Sequence, residues 1–430
     1  MQNLKVIIKK ILPKSTYGKS VITLITGTGL AQVLPIALSP ILTRLYTPED
    51  FGVFALYASV CAILVVLVTG KYELAIVVCR YESEAINLVA LTGLLSLLVS
   101  LILLGILLVW GETIVDAFGF AEAAQWLYLV PFTTLILGFY HALNFWANRR
   151  SRYKTMATSR IVQSASGGAG QLTAGVSKLG SDGLIIGQII GQLLCTAFLA
   201  ISMYRNIQKF FRRVSVSRMC YVAYKHINYP KYMVPGQVMN VGATELPLLA
   251  LTIFFGTGVA GFYSLAHRVT AAPMSLVANA IGDVYRQGAA AQYVSQGNCL
   301  TLFLVSLKRL LMFAFLPMLP IVLFGPSLFS FVFGDGWRTA GEIASALSIL
   351  VFFQTVASPL SSTILLPGWL HLDSLWQFAR LCFVGFTFFL CKSMSLGYMA
   401  TVLILVCGLS GLFLLHSIFQ YKAAQGEAYR

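Results

Sequence analysis

Apolar residues run through this chain in long blocks, not at the two-residue or 3.6-residue spacing of elements packed on a soluble core. Blocks of 20 or so residues with few charges recur along the sequence. A helix of about 20 apolar residues crosses the ~30 Å hydrocarbon layer of a bilayer. Twelve spans are predicted, at roughly 20–43, 50–72, 85–109, 124–147, 157–178, 183–204, 231–254, 259–283, 301–324, 341–365, 372–391 and 396–419. The second has the best-marked start. Thr47 is placed as an N-cap, Pro48 at the first helical position, and Glu49 and Asp50 in the first turn.

Polar residues interrupt the blocks in stripes. In span eight, Ser264, Arg268, Ser275, Asn279 and Asp283 are spaced by 4, 7, 4 and 4. At about 100° per residue they share one face roughly 100° wide. Pro273 lies among them and predicts a kink. Span one carries Thr28, Gln32, Ser39 and Thr43, interrupted by Pro35 and Pro40. Span five carries Arg160, Ser164, Gly167, Gln171 and Lys178, and span eleven Asp373, Gln377, Arg380 and Thr387. Hydroxyl and amide groups in such stripes commonly bond one membrane helix to another. An arginine differs, because at membrane depth it costs at least ~2.5 kcal/mol unless it meets water or a partner. Arg268 is about ten residues into its span, too deep to snorkel, and is expected to line a hydrated cavity with Gln32, Ser264, Ser275 and Asn279.

Among acids, Glu245 lies near the middle of span seven, within Ala243-Thr244-Glu245-Leu246-Pro247. It suits a proton carrier, or equally a static pair with an arginine of another helix. Asp283, at the end of the span-eight stripe, is the second candidate for ion coupling. Lys71 and Glu73 are expected on a helix at the inner end of span two. Two residues apart, they would point to opposite sides and not pair. Gly183, Gly187 and Gly191 form a close-approach face on span six, with Ser164, Ala165, Gly168, Ala169 and Leu172 of span five offered as its neighbour.

Composition sharpens the picture. Of 430 residues, 58% are hydrophobic and 10% charged, where a soluble protein carries about 25% charged residues. A soluble cytosolic enzyme is excluded. The net charge of +15 does not point to nucleic acid, because the basic residues cluster in short loops between spans. Five lie from Lys5 to Lys19, five from Arg149 to Arg160 and seven from Arg205 to Lys231, on one side of the predicted membrane. The opposite loops hold only Arg44, Lys178, Arg338 and Lys392. This bias predicts that both termini are cytoplasmic.

Residues 1–19 read as a basic amphipathic segment on an anionic membrane face, with Leu4, Ile7, Ile8, Ile11 and Leu12 at helical spacing and no cleavable signal pattern. The opposite-side segments are too short to form an external domain. The cysteines (Cys61, Cys79, Cys195, Cys220, Cys299, Cys382, Cys391 and Cys407) show no ligand spacing, and the five histidines are scattered. Neither a metal site nor a disulfide framework is predicted. No G-K-[ST] phosphate loop exists for ATP hydrolysis, and no cofactor is expected.

The halves resemble each other at an offset of 209. Leu42-Thr43 through Phe51-Gly52-Val53-Phe54 aligns with Leu251-Thr252 through Ala260-Gly261-Phe262-Tyr263. Six spans per half return the chain to the same side, so the repeat is parallel. The expected organisation is an N-terminal lobe over 20–204, a basic linker over 205–230, a C-terminal lobe over 231–419 and a tail over 420–430.

Several motifs carry a family resemblance. They are Gly27-Thr28-Gly29-Leu30-Ala31-Gln32, the run from Ser39-Pro40 to Thr47-Pro48-Glu49-Asp50-Phe51-Gly52, and Gly70-Lys71-Tyr72-Glu73-Leu74-Ala75-Ile76. Phe254-Phe255-Gly256 and the run from Gly261-Phe262-Tyr263 through His267-Arg268 to Pro273-Met274-Ser275-Leu276 continue them. The sequence resembles bacterial polysaccharide (O-antigen or capsule) repeat-unit flippases of the multidrug/oligosaccharidyl-lipid/polysaccharide exporter superfamily. The resemblance implies an all-α inner-membrane protein of about twelve transmembrane helices in two six-helix lobes, V-shaped and working by alternating access.

Its implied substrate is a polyprenyl-pyrophosphate-linked oligosaccharide for lipopolysaccharide or other surface-polysaccharide biosynthesis. A polysaccharide polymerase and chain-length machinery are the implied partners. By this similarity Arg268 is the foremost pyrophosphate contact, with Lys71, Arg160 and Arg380 behind it. An ion-coupled multidrug antiporter shares the architecture but would favour deep acids, and here the deep charges lean basic. A membrane glycosyltransferase or polymerase would need a sizeable external loop. A purely structural membrane protein would not need polar stripes on kinked helices.

Overall fold

The computed structural model describes residues 16–118, 124–366 and 369–426. Most of the basic segment expected over 1–19, and the last four residues of the tail, lie outside them. Every regular element among the described residues is helical, and twelve helices have 20 residues or more. These are α1 (Thr16–Leu45), α2 (Pro48–Thr69), α3 (Glu82–Phe118), α4 (Val130–Arg149), α5 (Tyr153–Val176), α6 (Ser181–Phe211), α7 (Val234–Phe255), α8 (Thr257–Gln296), α9 (Leu300–Phe333), α10 (Arg338–Leu360), α11 (Leu370–Ser393) and α12 (Tyr398–Ala424). Ten stretches, on all of these but α5 and α8, are long and apolar enough to cross a membrane. The two helices that fall short each carry a polar stripe with an arginine in it, and such residues are what lower a hydropathy sum.

Local chemistry accounts for the α1–α2 turn. The Thr47 backbone N–H donates to Asp50 Oδ2 at 2.9 Å, and the Asp50 N–H donates back to Thr47 Oγ1 at 3.3 Å. This reciprocal capping box satisfies two of the donors a helix start leaves free. The prolines inside α1 and α8 do not end their helices. α1 continues past Pro35 and Pro40, and α8 runs 40 residues through Pro273.

The chain divides into two compact units. One comprises the described residues up to Leu38 together with Val60–Pro235; the other comprises Ser39–Ser59 and the residues from Gly236 on. In the first unit, α5 and α6 approach most closely through glycine. A Cβ on Gly191 would stand 2.7 Å from the Gln163 carbonyl oxygen and 2.9 Å from Gly167 Cα. One on Gly187 would stand 3.0 Å from the Gly167 carbonyl oxygen. The neighbour is therefore the expected one, but the face is not. Gly167, Gly170 and Gln171 meet α6, whereas Ser164 and Gly168, assigned to that contact from spacing, turn to α1. The Ser164 hydroxyl donates to the Ala31 carbonyl at 2.6 Å, and Gly168 lies against Leu38.

The second unit holds a reciprocal contact between the repeats. A Cβ on Gly52 would collide with the Thr257 carbonyl, and one on Gly261 with the Pro48 carbonyl. Gly52 and Gly261, and likewise Pro48 and Thr257, are each 209 residues apart. Equivalent helix starts thus cross with no room for a side chain. Trp337 buries itself alongside, its ring edge-on to Phe51 and Phe262 and its indole N–H donating to the Thr43 carbonyl at 3.0 Å. These contacts place Ser39–Ser59, part of the first half by sequence, in the second unit.

Candidate functional site

The second unit contains two adjoining cavities of about 190 and 330 Å³ that share Thr244, His267 and Arg268 in their walls. α8 is the common wall. Its Ser264 faces the smaller cavity, and its Ser275 and Asn279 face the larger. α10 contributes Gln354, Thr355 and Ser358 to the larger, and α2 and α7 bring Ser59 and Glu245 to the smaller. Asp283, one turn beyond Asn279, is exposed and in neither wall.

Arg268 sits without an anionic partner. Among the described residues no carboxylate comes within 4.0 Å of it. Its guanidinium carbon lies 5.8 Å from the Phe54 ring centroid, a favourable cation–π distance that leaves its donors uncommitted. Beside it, His267 stacks on Tyr263 with ring centroids 6.1 Å apart. Glu245 faces the same cavity. Its Oε2 accepts a 2.6 Å bond from the Ser59 hydroxyl, and among the described residues no arginine comes within 4.0 Å of it. A cation with no hydrogen bond or ion pair among the described residues and a tethered carboxylate therefore share one polar pocket. Such a pocket can hold an anionic, hydrogen-bonding ligand on Arg268.

The other candidate cations are placed differently. Arg380, on α11 of the same unit, is not in the wall of either cavity. It is buried against Trp376 and Phe413, 4.8 and 5.3 Å from the ring centroids, and donates to Gln377 Oε1 at 3.2 Å. Gln32, Lys71 and Arg160 lie in the first unit. Arg160 donates to Thr28 Oγ1 at 2.8 Å, and Gln32 Oε1 is buried without a partner among the described residues.

Lys71 requires a correction. Its Nζ lies 3.7 Å from Glu73 Oε1, so the two do pair. The opposed placement assumed a helix there, but Gly70 and Lys71 adopt left-handed backbone, φ +55° and +58°, between α2 and a short helix at Glu73–Val78. That turn folds the ammonium back over the carboxylate. Thr69 adds a hydroxyl bond to the same oxygen at 3.2 Å. Lys71 is thereby neutralised within the chain.

One grouping has no signal in the spacing. Cys79, Glu84 and His226 bring their ligand-type atoms within 4.8 Å of one another. Cys79 and His226 are 147 residues apart in sequence, beyond any local motif. Lys225, beside them, donates to Glu84 Oε1 at 2.7 Å, and that bond holds its ammonium above the usual lysine range. Burial, then the neighbouring Lys225, holds the His226 imidazole below its usual range.

Comparison with known proteins agrees with this architecture. The family described as "Polysaccharide biosynthesis protein" matches residues 41–342. The chain is 26% identical over 247 residues to "Succinoglycan biosynthesis transport protein ExoT" of Rhizobium meliloti (strain 1021), a match covering 57% of this chain and 48% of that protein. The match thus spans about half the length of that relative. Among solved structures, the fold is similar to "Lipid II flippase MurJ, inward closed conformation", with TM-score 0.73 and 14% identity over 93% of this chain and 87% of that one. It is also similar to a multidrug resistance MATE family transporter of the MOP superfamily, with TM-score 0.65 and 14% identity over 96% of each chain.

Proposed function

From the premise that this chain belongs to the polysaccharide biosynthesis protein family, we propose that it carries polyprenyl-pyrophosphate-linked oligosaccharide units across the bacterial inner membrane by alternating access. The chain acts as a multi-pass membrane transporter and not as an enzyme. A relative named a succinoglycan biosynthesis transport protein and a structural neighbour named a lipid II flippase support a lipid-linked substrate. The distribution of lysine and arginine supports both termini on the cytoplasmic side.

The observation that carries the reading is Arg268, aimed into a polar cavity with no carboxylate within 4.0 Å of it among the described residues. A pyrophosphate head offers the oxygens its guanidinium lacks, and a hydrogen bond to a charged group is worth about 1.5–3 kcal/mol. The serine, threonine and asparagine side chains along α8 and α10 suit the hydroxyls of a sugar, while the polyprenyl tail stays in lipid. Arg160 and Arg380, already engaged within the chain, rank behind Arg268, and Lys71 ranks last because Glu73 holds it. Glu245, in the same cavity, is the group we assign to ion coupling, with Asp283 a weaker second.

The test is surface-polysaccharide assembly in a host deleted for its own copy of this protein. Wild type restores the polymer, and Arg268→Ala at equal membrane abundance does not. Full restoration by Arg268→Ala would sink the assignment.

A further inference from the structure

We propose that Cys79, Glu84 and His226 form a binding site for a borderline-soft divalent cation of the Zn²⁺ class, one that staples the loop after α6 to the α2–α3 link. The donor set is one thiol, one carboxylate and one imidazole, the ligand types zinc takes in proteins. Cys79 Sγ and His226 Nε2 are 3.6 Å apart. Zinc–sulfur and zinc–nitrogen bonds of about 2.3 and 2.05 Å at a tetrahedral angle set the two atoms about 3.6 Å apart. All three ligand atoms lie within 4.8 Å of one another, and Cys79 is buried while the other two reach solvent in part. Three protein ligands with a solvent-filled fourth position make a complete tetrahedral shell.

The surroundings hold the three ligands in place. Arg149 donates to the Cys79 carbonyl at 2.6 Å and to that of Ile76 at 3.0 Å, fixing the peptide that carries the thiol. His226 follows the short helix Val216–Lys225, whose start is tied to α3 by Asn87, which donates to the Arg213 carbonyl and accepts from the Ser215 N–H. The Tyr72 hydroxyl donates to the Ala223 carbonyl at 3.1 Å, one turn before the histidine. Lys225 occupies one carboxylate oxygen of Glu84, and the second oxygen remains for a metal. On binding, the thiol gives its proton to water and the thiolate sulfur bonds the cation, with no change of oxidation state.

The test uses the full chain, purified in detergent, stripped with chelator and titrated with Co²⁺ and then Zn²⁺. The expected result is one equivalent of Co²⁺ per chain with a thiolate-to-cobalt charge-transfer band, which Zn²⁺ abolishes by displacement. Cys79→Ser removes the band, and His226→Gln weakens binding by more than the roughly 10- to 100-fold that even outer partners of a metal site cost. Cys220→Ser, at an exposed cysteine of the same short helix, leaves both unchanged. The proposal fails if wild type shows no band, if the band survives Cys79→Ser, or if it follows Cys220. Should Cys79→Ser not fold, His226→Gln alone decides, because unchanged affinity there also overturns the site.

Discussion

α5 and α8 look alike as sequences and behave differently as structure. Each is less apolar than its neighbours, and each carries an arginine, serine and amide on one face. On α5 these groups are engaged with other helices of the same unit. Arg160 bonds Thr28, Ser164 bonds the Ala31 carbonyl, Gln163 bonds Gln192 and Gln171 bonds the Leu184 carbonyl. On α8, Ser275 bonds only back to Ala272 of its own helix. No hydrogen bond ties Ser264, Arg268 or Asn279 to another helix among the described residues, and all four side chains face cavities. A polar stripe on a long helix is therefore glue in one case and lining in the other. What separates them is whether a neighbour comes close enough to answer it, and the glycines of α5 and α6 allow that approach.

Substitutions can break or sharpen this contrast. The largest effect is expected from Gly191→Leu, which drives a side chain into the Gln163 and Gly167 backbone. Overpacking of this kind costs about 1–3 kcal/mol or more, and recovery of monodisperse protein should collapse. Gly105→Leu, where nothing lies within 4 Å of the added Cβ, should leave recovery unchanged. Next comes Arg268→Ala. Losing a charged contact of about 1.5–3 kcal/mol lowers substrate transport roughly 10- to 100-fold, with the melting temperature held. Arg268→Lys should recover part of the rate.

Arg160→Ala should show the reverse signature. A drop in melting temperature follows from losing about 1.5–3 kcal/mol of charged hydrogen bonding to Thr28, with a smaller transport loss than at Arg268. If Arg160→Ala abolishes transport in stable protein, the distinction between glue and lining collapses. The smallest effect on stability belongs to Glu245→Gln, since an amide oxygen still accepts the Ser59 bond. Transport rates measured across pH should lose their pH dependence in this variant. A profile identical to wild type removes Glu245 from coupling.

Much of the helix pattern was legible beforehand, because hydropathy is a property of residues summed along a window and needs no partner. Ten of the twelve long helices, the cap at Thr47 and the offset of 209 between halves follow from that kind of sum or match; α5 and α8 fall short of the sum. The polar face of α8 was legible for the same reason, since 100° per residue places its side chains without reference to anything else.

Contacts between distant segments were not legible. Spacing put Lys71 and Glu73 on opposite sides, and a left-handed turn at Gly70 and Lys71 joined them. Spacing also aimed Ser164 and Gly168 at α6, one residue round from the face that α6 meets. Nothing local could gather Cys79, Glu84 and His226, or show that Ser39–Ser59 packs in the second unit through Gly52 and Gly261. Which residues face lipid, which bond a neighbouring helix and which are left facing a cavity depends on how closely two helices approach. That distance is set by residues remote in the chain, so the tertiary structure decided it.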